Sequence, residues 1–258
     1  MNYPSIKITF LGTGTSGGVP MIACGCYVCS SPDEKDKRLR SSILVESERT
    51  SLVIDTTPDF RTQMLRANVK KLNAVLFTHP HKDHVAGLDD IKAFNYFQKK
   101  SIDVYANELT QKELKREFPY IFADKKYPGV PSVTMHTITN KSFMVGDIPV
   151  TPILVYHMQM PVLGFRFGKF TYITDANRIE DGEKQKIIGS DTLVINALRK
   201  DTHISHFNLQ EAIDIADEMK IPHVYFTHVS HQLGVHEEIN KELKPGRQLA
   251  YDGLQLQF

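Results

Sequence analysis

Ala74-Val75-Leu76-Phe77-Thr78-His79-Pro80-His81-Lys82-Asp83-His84 begins as a short apolar run and ends in three histidines and an aspartate. The first four residues read as a buried strand, and the polar cluster hangs from its C-terminal end, where α/β folds commonly place their chemistry. Side chains two apart on an extended segment point the same way, so His79 and His81 can grip one cation. A turn through Asp83 then brings that carboxylate and His84 to a second position alongside. A lone histidine after a strand is more often a hydrogen-bonded structural group, but four ligand-type side chains within six residues form a metal-binding pattern. Imidazole and carboxylate donors suit zinc, manganese or iron. A pair of such ions about 3.5–4 Å apart can clamp a phosphoryl group and generate hydroxide at neutral pH.

Three more candidates terminate apolar runs elsewhere: His157 after Ile153-Leu154-Val155-Tyr156, Asp175 after Tyr172-Ile173-Thr174, and His228 after Tyr225-Phe226-Thr227. Singly they read as a core histidine, a turn or helix cap, and a surface residue. Their shared context favours a common site. Lys7–Leu11 reads as a strand, Ser42–Glu46 and Ser51–Asp55 as a hairpin, and Pro58–Ala67 as a helix with Thr57 as its cap and Pro58 at its first position. Helices over Leu88–Lys99 and Leu109–Phe118 flank a strand at Ile102–Tyr105, and Pro119–Pro131 is a long irregular stretch. Further on come strands at Ser132–Ile138, Val150–Val155, Gly164–Phe167, Phe170–Ile173, Thr192–Ile195, His223–Phe226 and Leu254–Leu256, with helices near Ile179–Ile188 and Leu209–Met219. Strands interleaved with helices in two similar halves predict two sheets packed face to face and covered by helices, in one domain spanning 1–258.

Hydrophobic residues make up 41% of the 258 and charged residues 24%, which is ordinary globular usage. The net charge of +1 gives no sign of a general nucleic-acid or membrane binder acting through bulk charge. That leaves nucleic acid to a local basic groove, if it binds at all, and speaks for a small phosphodiester as the partner. The start, Met1 to Lys7, has no apolar leader pattern and no later stretch is long enough for a membrane span, so the expectation is a cytoplasmic chain. A homodimer is the default for such chains.

Cys24, Cys26 and Cys29 are the only cysteines and fall in one loop. Buried free thiols and a redox pair are the competing explanations. A structural zinc is favoured, because the glycine- and proline-rich loop at about 18–31 has little else to order it. His231, three residues beyond His228, is the candidate fourth ligand. Gly12-x-Gly14-x-x-Gly17 matches a dinucleotide fingerprint, but no helix follows it directly, so no nucleotide cofactor is expected.

The motif Thr78-His79-x-His81-x-Asp83-His84, with His157, Thr174-Asp175-Ala176 and His228, resembles the metallo-β-lactamase superfamily over nearly the whole chain. The resemblance implies a four-layer αββα sandwich of α/β (α+β) class. It implies a first metal on the residues matching His79, His81 and His157, a second on Asp83, His84 and His228, and Asp175 bridging them. Gly12–Pro20, the cysteine triplet and Thr227-His228-Val229-Ser230-His231-Gln232 resemble the branch containing the phosphoribosyl cyclic phosphate phosphodiesterase of bacterial phosphonate catabolism. That branch uses two metals, zinc or manganese being the expectation here, and carries an extra zinc on the cysteine loop. Relatives place a histidine where His206 stands, just before a helix, to protonate the leaving alkoxide; His203 competes for the role. Asp83 and His206 are thus the residues assigned to catalysis. The expected function is hydrolysis of a small or cyclic phosphodiester.

A tRNA 3′-processing endonuclease is the alternative within hydrolases. The cysteine loop and the lack of a basic arm speak against it, Lys99-Lys100 and Lys125-Lys126 being too sparse. An iron-dependent redox enzyme of the same fold is another alternative. The flavin-linked diiron relatives carry glutamate where this chain has His81, so the intact motif favours hydrolysis. Specificity is expected to reside in the loops Pro119–Pro131 and Met158–Val162.

Overall fold

The computed structural model describes residues 4–258; Met1–Tyr3, part of the start discussed above, lie outside them. The first half supplies β1 (Lys7–Gly12), β2 (Ser42–Glu46), β3 (Ser51–Ile54), β4 (Ala74–Leu76), β5 (Ile102–Ala106) and β6 (Val133–Thr137). The second supplies β7 (Phe143–Val145), β8 (Ile148–His157), β9 (Met160–Phe167), β10 (Phe170–Tyr172), β11 (Arg178–Ile179), β12 (Thr192–Asn196), β13 (His223–Thr227), β14 (Arg247–Leu249) and β15 (Gln255–Gln257). One sheet has the order β15-β1-β2-β3-β4-β5-β6. The other runs β11-β8-β9-β10-β12-β13-β14, with β7 paired to β8.

Both sheets are antiparallel through their first three pairings and parallel through their last three. The two halves share this pattern although no repeat is visible in the residues. It matters for function, because β3 and β4 in one sheet, and β8, β10, β12 and β13 in the other, each end at the same edge.

Alternation along the strands makes two faces per sheet. Ile43, Val45, Leu52, Ile54 and Leu76 pack across the gap against Leu163, Phe165, Phe167, Tyr172 and Val194. Their neighbours Leu44, Val53 and Val75 face the other way, under a helical layer contributing Phe60, Met64, Leu88, Phe94 and Leu114. In the second sheet Ile153, Leu193, Ile195, Val224 and Phe226 turn outward onto Ile187, Leu209, Ala212 and Ala216. Each such fully buried apolar side chain contributes roughly 1.5–3 kcal/mol. Helix, sheet, sheet and helix form the expected αββα sandwich.

Several local readings are corrected. The helix begins at Phe60, not Pro58. Thr57 does not cap it; its Oγ1 accepts from the Asp59 amide and donates to Gln63 Oε1, closing the turn ahead of the helix. Met158–Val162 is not a loop: β9 starts at Met160, leaving a two-residue hairpin turn with Met158 at φ +57. Pro119–Phe122 opens the proline-rich stretch as one helical turn. The segment near Ile179 starts as strand β11, and its helix spans Asp181–Ile187.

The glycine-rich loop opens no helix but lies against the chain at 38–40. A Cβ on Gly12 would sit 1.9 Å from the Arg40 carbonyl oxygen, so only glycine fits there. No helix among the described residues is long and apolar enough to cross a membrane.

Candidate metal centre

The strand ends at this common edge bring the histidines and aspartates together. Asp55, Asp175 and His228 each follow a strand and adopt left-handed backbone, with φ of +66, +57 and +55. Non-glycine residues seldom take this conformation, and the turn it makes swings each side chain back across the sheet edge. Thr78-His79-Pro80-His81 runs extended from β4, and one helical turn, Lys82–Val85, carries Asp83 and His84.

One carboxylate is the hub. Asp175 Oδ1 lies 3.1 Å from His228 Nε2, 3.9 Å from His79 Nε2 and 4.0 Å from His206 Nδ1, while Oδ2 lies 3.2 Å from His84 Nε2. Asp83 Oδ2 is also 3.2 Å from His84 Nε2. Asp83, His84, Asp175 and His228 offer ligand atoms all within 4.8 Å of one another, and so do His157, Asp175 and His206. His79 Nε2 and His81 Nδ1 face each other at 3.1 Å, and the His81 ring stands edge-on to His157 with centroids 5.1 Å apart. All seven active-site metal candidates therefore stand at one sheet edge, His81 exposed at its mouth and His79, His84, Asp175 and His228 buried.

Supporting bonds aim the rings. The His157 Nδ1–H donates to the Asp175 carbonyl oxygen at 3.1 Å, leaving Nε2 free. Asp55, which the sequence reading did not single out, accepts from the Thr78 amide at 2.9 Å, the Thr78 hydroxyl at 2.8 Å and the His84 Nδ1–H at 2.7 Å. That bond keeps a proton on Nδ1 and leaves Nε2, which faces Asp83 and Asp175, as the nitrogen that can bind a cation once its own proton is displaced. Ile54-Asp55-Thr56 has the context that drew notice to Asp175, a carboxylate directly after an apolar strand; that signal was present.

The electrostatics call for positive charge. Burial works against an imidazolium at His84, yet Asp175, Asp83 and Asp55 outweigh it and hold its pKa well above the usual range. Burial likewise opposes charge on Asp175, and His228, His84 and His79 overcome it, holding the carboxyl well below the usual range. His84 Nε2 faces only the two carboxylates at 3.2 Å, His228 Nε2 faces Asp175 at 3.1 Å, and the buried Nδ1 of His206 has no hydrogen-bond partner. Carboxylates and imidazole nitrogens converging on one buried point are the donor set a divalent cation needs, so the residues fit the metals that the family implies.

His206 sits inside, its ring stacked on His228 with centroids 5.0 Å apart, and burial followed by His228 lowers its pKa to about 3. His203 lies nearer the rim, accepting from the Ser205 amide at 3.3 Å through Nδ1. Between the two, His206 has the better access to the cluster.

A second cluster lies on the glycine-rich side. Cys24 Sγ and Cys26 Sγ both stand 3.3 Å from His231 Nδ1, and with Cys29 the four ligand atoms lie within 4.8 Å of one another. The Cys29 amide and His231 lower the Cys26 thiol to about 6, while burial pushes the Cys29 thiol up to about 11. Three sulfurs and one imidazole nitrogen match a closed tetrahedral zinc site. Only Val229 and Ser230 separate it from His228, and Val229 exchanges backbone bonds with Thr13 and Thr15.

A family model described as the β-lactamase superfamily domain matches residues 50–229. The chain belongs to the metallo-β-lactamase superfamily. Within this hydrolase superfamily, a crystal structure of a diphosphatase from the PhnP family superposes with a TM-score of 0.93 and 41% identity, covering 98% of this chain and 97% of that one. The octanoyltransferase of Porphyromonas gingivalis is 35% identical over 253 residues, 97% of this chain but 51% of that protein. The chain thus spans about half the length of that curated relative. The Zn2+-bound PqqB of Methylobacterium extorquens, at 21% identity and a TM-score of 0.78 over 97% of this chain and 99% of that one, shares the metallo-β-lactamase fold.

Proposed function

We propose that the chain is a dinuclear metal-dependent phosphodiesterase acting on cyclic or other small phosphodiesters. The observation that carries this reading is the placement of Asp175 between two groups of imidazoles, within 4 Å of His79, His84, His206 and His228. His79, His81 and His157 would hold one ion, Asp83, His84 and His228 the other, and Asp175 both; Cys24, Cys26, Cys29 and His231 would hold a structural zinc. Two zinc or manganese ions so held supply Lewis acidity, lowering the pKa of water and neutralising charge on a phosphoryl group.

The chain's own residues supply the rest. Asp55 and Thr78 orient the motif, and the Asp175 carbonyl orients His157. His206 stands beside Asp175 to pass a proton to the leaving oxygen. Burial keeps its free ring neutral, and the negative charge of a bound phosphodiester against the ring favours the protonated form it needs. A small ester suits the site better than a polynucleotide, since the net charge is +1 and Lys82 beside the mouth is engaged by Glu117.

The similarity to a PhnP-family diphosphatase favours one second reading, hydrolysis of a phosphoanhydride at the same centre. Incubating the metal-loaded protein with a ribose cyclic phosphate and with a dinucleoside diphosphate, followed by phosphorus NMR, separates the two. Opening of the cyclic diester to a monoester supports the first; turnover of the diphosphate alone moves the assignment to the second. Inertness toward both contradicts each. His206→Ala should slow turnover while leaving active-site metal content unchanged, and loss of metal would make His206 a ligand instead.

A further inference from the structure

The segment that presents His206 is irregular, and it is loosely held. Thr202 at one end is tied to Arg199, whose Nη2 donates to its carbonyl at 2.8 Å, and Phe207 at the other is tied to Ala176 through its amide at 2.8 Å. Between them, among the hydrogen bonds of the described residues, one backbone group of 203–206 is held from outside the segment. It is the Ile204 carbonyl, which accepts from the Asn177 side-chain Nδ2 at 2.8 Å. His206 Nδ1 has no hydrogen-bond partner, so the ring is placed by its packing against His157 and His228 and by the backbone beneath it.

Asn177 reaches the opposite side of the site as well. Its Oδ1 accepts from the Met158 amide at 2.9 Å, and its own amide donates to the Tyr156 carbonyl at 2.9 Å. These bonds bracket His157 in the strand and turn that carry it. Asn177 itself lies two residues beyond Asp175. One side-chain amide thus spans the turn bearing His157, the loop bearing Asp175 and the segment bearing His206. A side-chain amide can accept on one side and donate on the other, whereas a carboxylate can only accept.

We infer that Asn177 is a positioning residue that sets His206 relative to Asp175 and His157, and so governs protonation of the leaving group. The inference rests on the phosphodiesterase reading for its chemical consequence, but not for its structural one. Asn177→Ala removes both side-chain bonds. Asn177→Asp keeps the acceptor for Met158 and loses the donor to Ile204, isolating the arm that holds the His206 segment.

The test has two arms. In metal-free protein, hydrogen–deuterium exchange of the 203–207 amides, read by mass spectrometry, should accelerate in both variants with the melting temperature nearly unchanged. In metal-loaded protein, hydrolysis of diphenyl phosphate, whose phenolate leaves poorly without a proton, should fall about 10–100-fold in kcat. Bis-p-nitrophenyl phosphate, whose leaving group departs unprotonated, should lose far less, with KM for both esters and metal content unchanged. Wild-type exchange rates in both variants, or equal losses on both esters, would overturn the inference. Accelerated exchange with a wild-type enzyme inert toward both esters would keep Asn177 as the holder of this segment and reject the phosphodiesterase reading instead.

Discussion

Asp55→Asn tests how the centre is aimed. The side chain keeps its shape, and its remaining oxygen can still accept from the Thr78 amide, now accepted at 2.9 Å. The other position becomes an NH2 group facing the Thr78 hydroxyl and His84 Nδ1, now 2.8 and 2.7 Å away. The hydroxyl can rotate to accept, but a donor cannot face the Nδ1–H. His84 therefore gives up the Nδ1 proton and keeps the one on Nε2, the atom 3.2 Å from both Asp83 and Asp175. A cation displaces the Nε2 proton of the wild type and leaves Nδ1–H bonded to Asp55, whereas in the variant it must drive the last proton back to Nδ1 against the NH2 donor. Losses of outer-shell partners typically weaken metal affinity about 10–100-fold, or roughly 1.4–2.7 kcal/mol. Competitive titration of the metal-free variant with zinc or manganese against a chromophoric chelator should show that loss in one of two binding steps, with the fold intact by circular dichroism. Unchanged affinity in both steps would refute the tautomer argument, and a chain that no longer folds would make Asp55 a structural residue first.

The remaining predictions concern other parts of the molecule. Cys24→Ser should lower both the melting temperature and the zinc content by one equivalent, because a closed site contributes its binding energy to folding; an unchanged melting temperature and zinc content would remove the structural site. His236 is buried, and burial together with Arg38, whose Nη2 donates to its Nδ1 at 3.2 Å, lowers its pKa to about 4. A histidine depressed in the folded state contributes stability that is full above the unfolded value near 6.5 and is lost as pH falls toward 4. His236→Gln should therefore flatten the decline in urea-unfolding free energy over that window by on the order of 2 kcal/mol, and a variant as pH-sensitive as the wild type would contradict the assignment.

Much of this architecture is legible in the residues, and where it is not, the reason is physical. Apolar strands ending in His79, His157, Asp175 and His228 announce themselves because period and chemistry coincide at each strand end. Asp55 ends its strand in the same manner but makes no motif with its neighbours, so its role appears only once β3 and β4 pair. The turn at Met158 escapes because it lacks the glycine or asparagine that left-handed turns favour. The helix His236–Glu242 is nearly all polar, with only His236 and Ile239 buried, and so has no apolar stripe to read. Strands β7, β11 and β14 are two or three residues long and exist by pairing, not by propensity. The Asn177 bracket is equally silent in sequence, since its three partners are 21 and 19 residues upstream and 27 downstream.

The most direct test of the central claim is hydrolysis of bis-p-nitrophenyl phosphate by protein stripped of metal and reloaded separately with zinc and with manganese, beside Asp83→Ala treated in the same way. Turnover that appears only on reloading and vanishes in Asp83→Ala is the expected result. Two ions bound at the active site with no release of p-nitrophenolate by any reloaded form would contradict a phosphodiesterase.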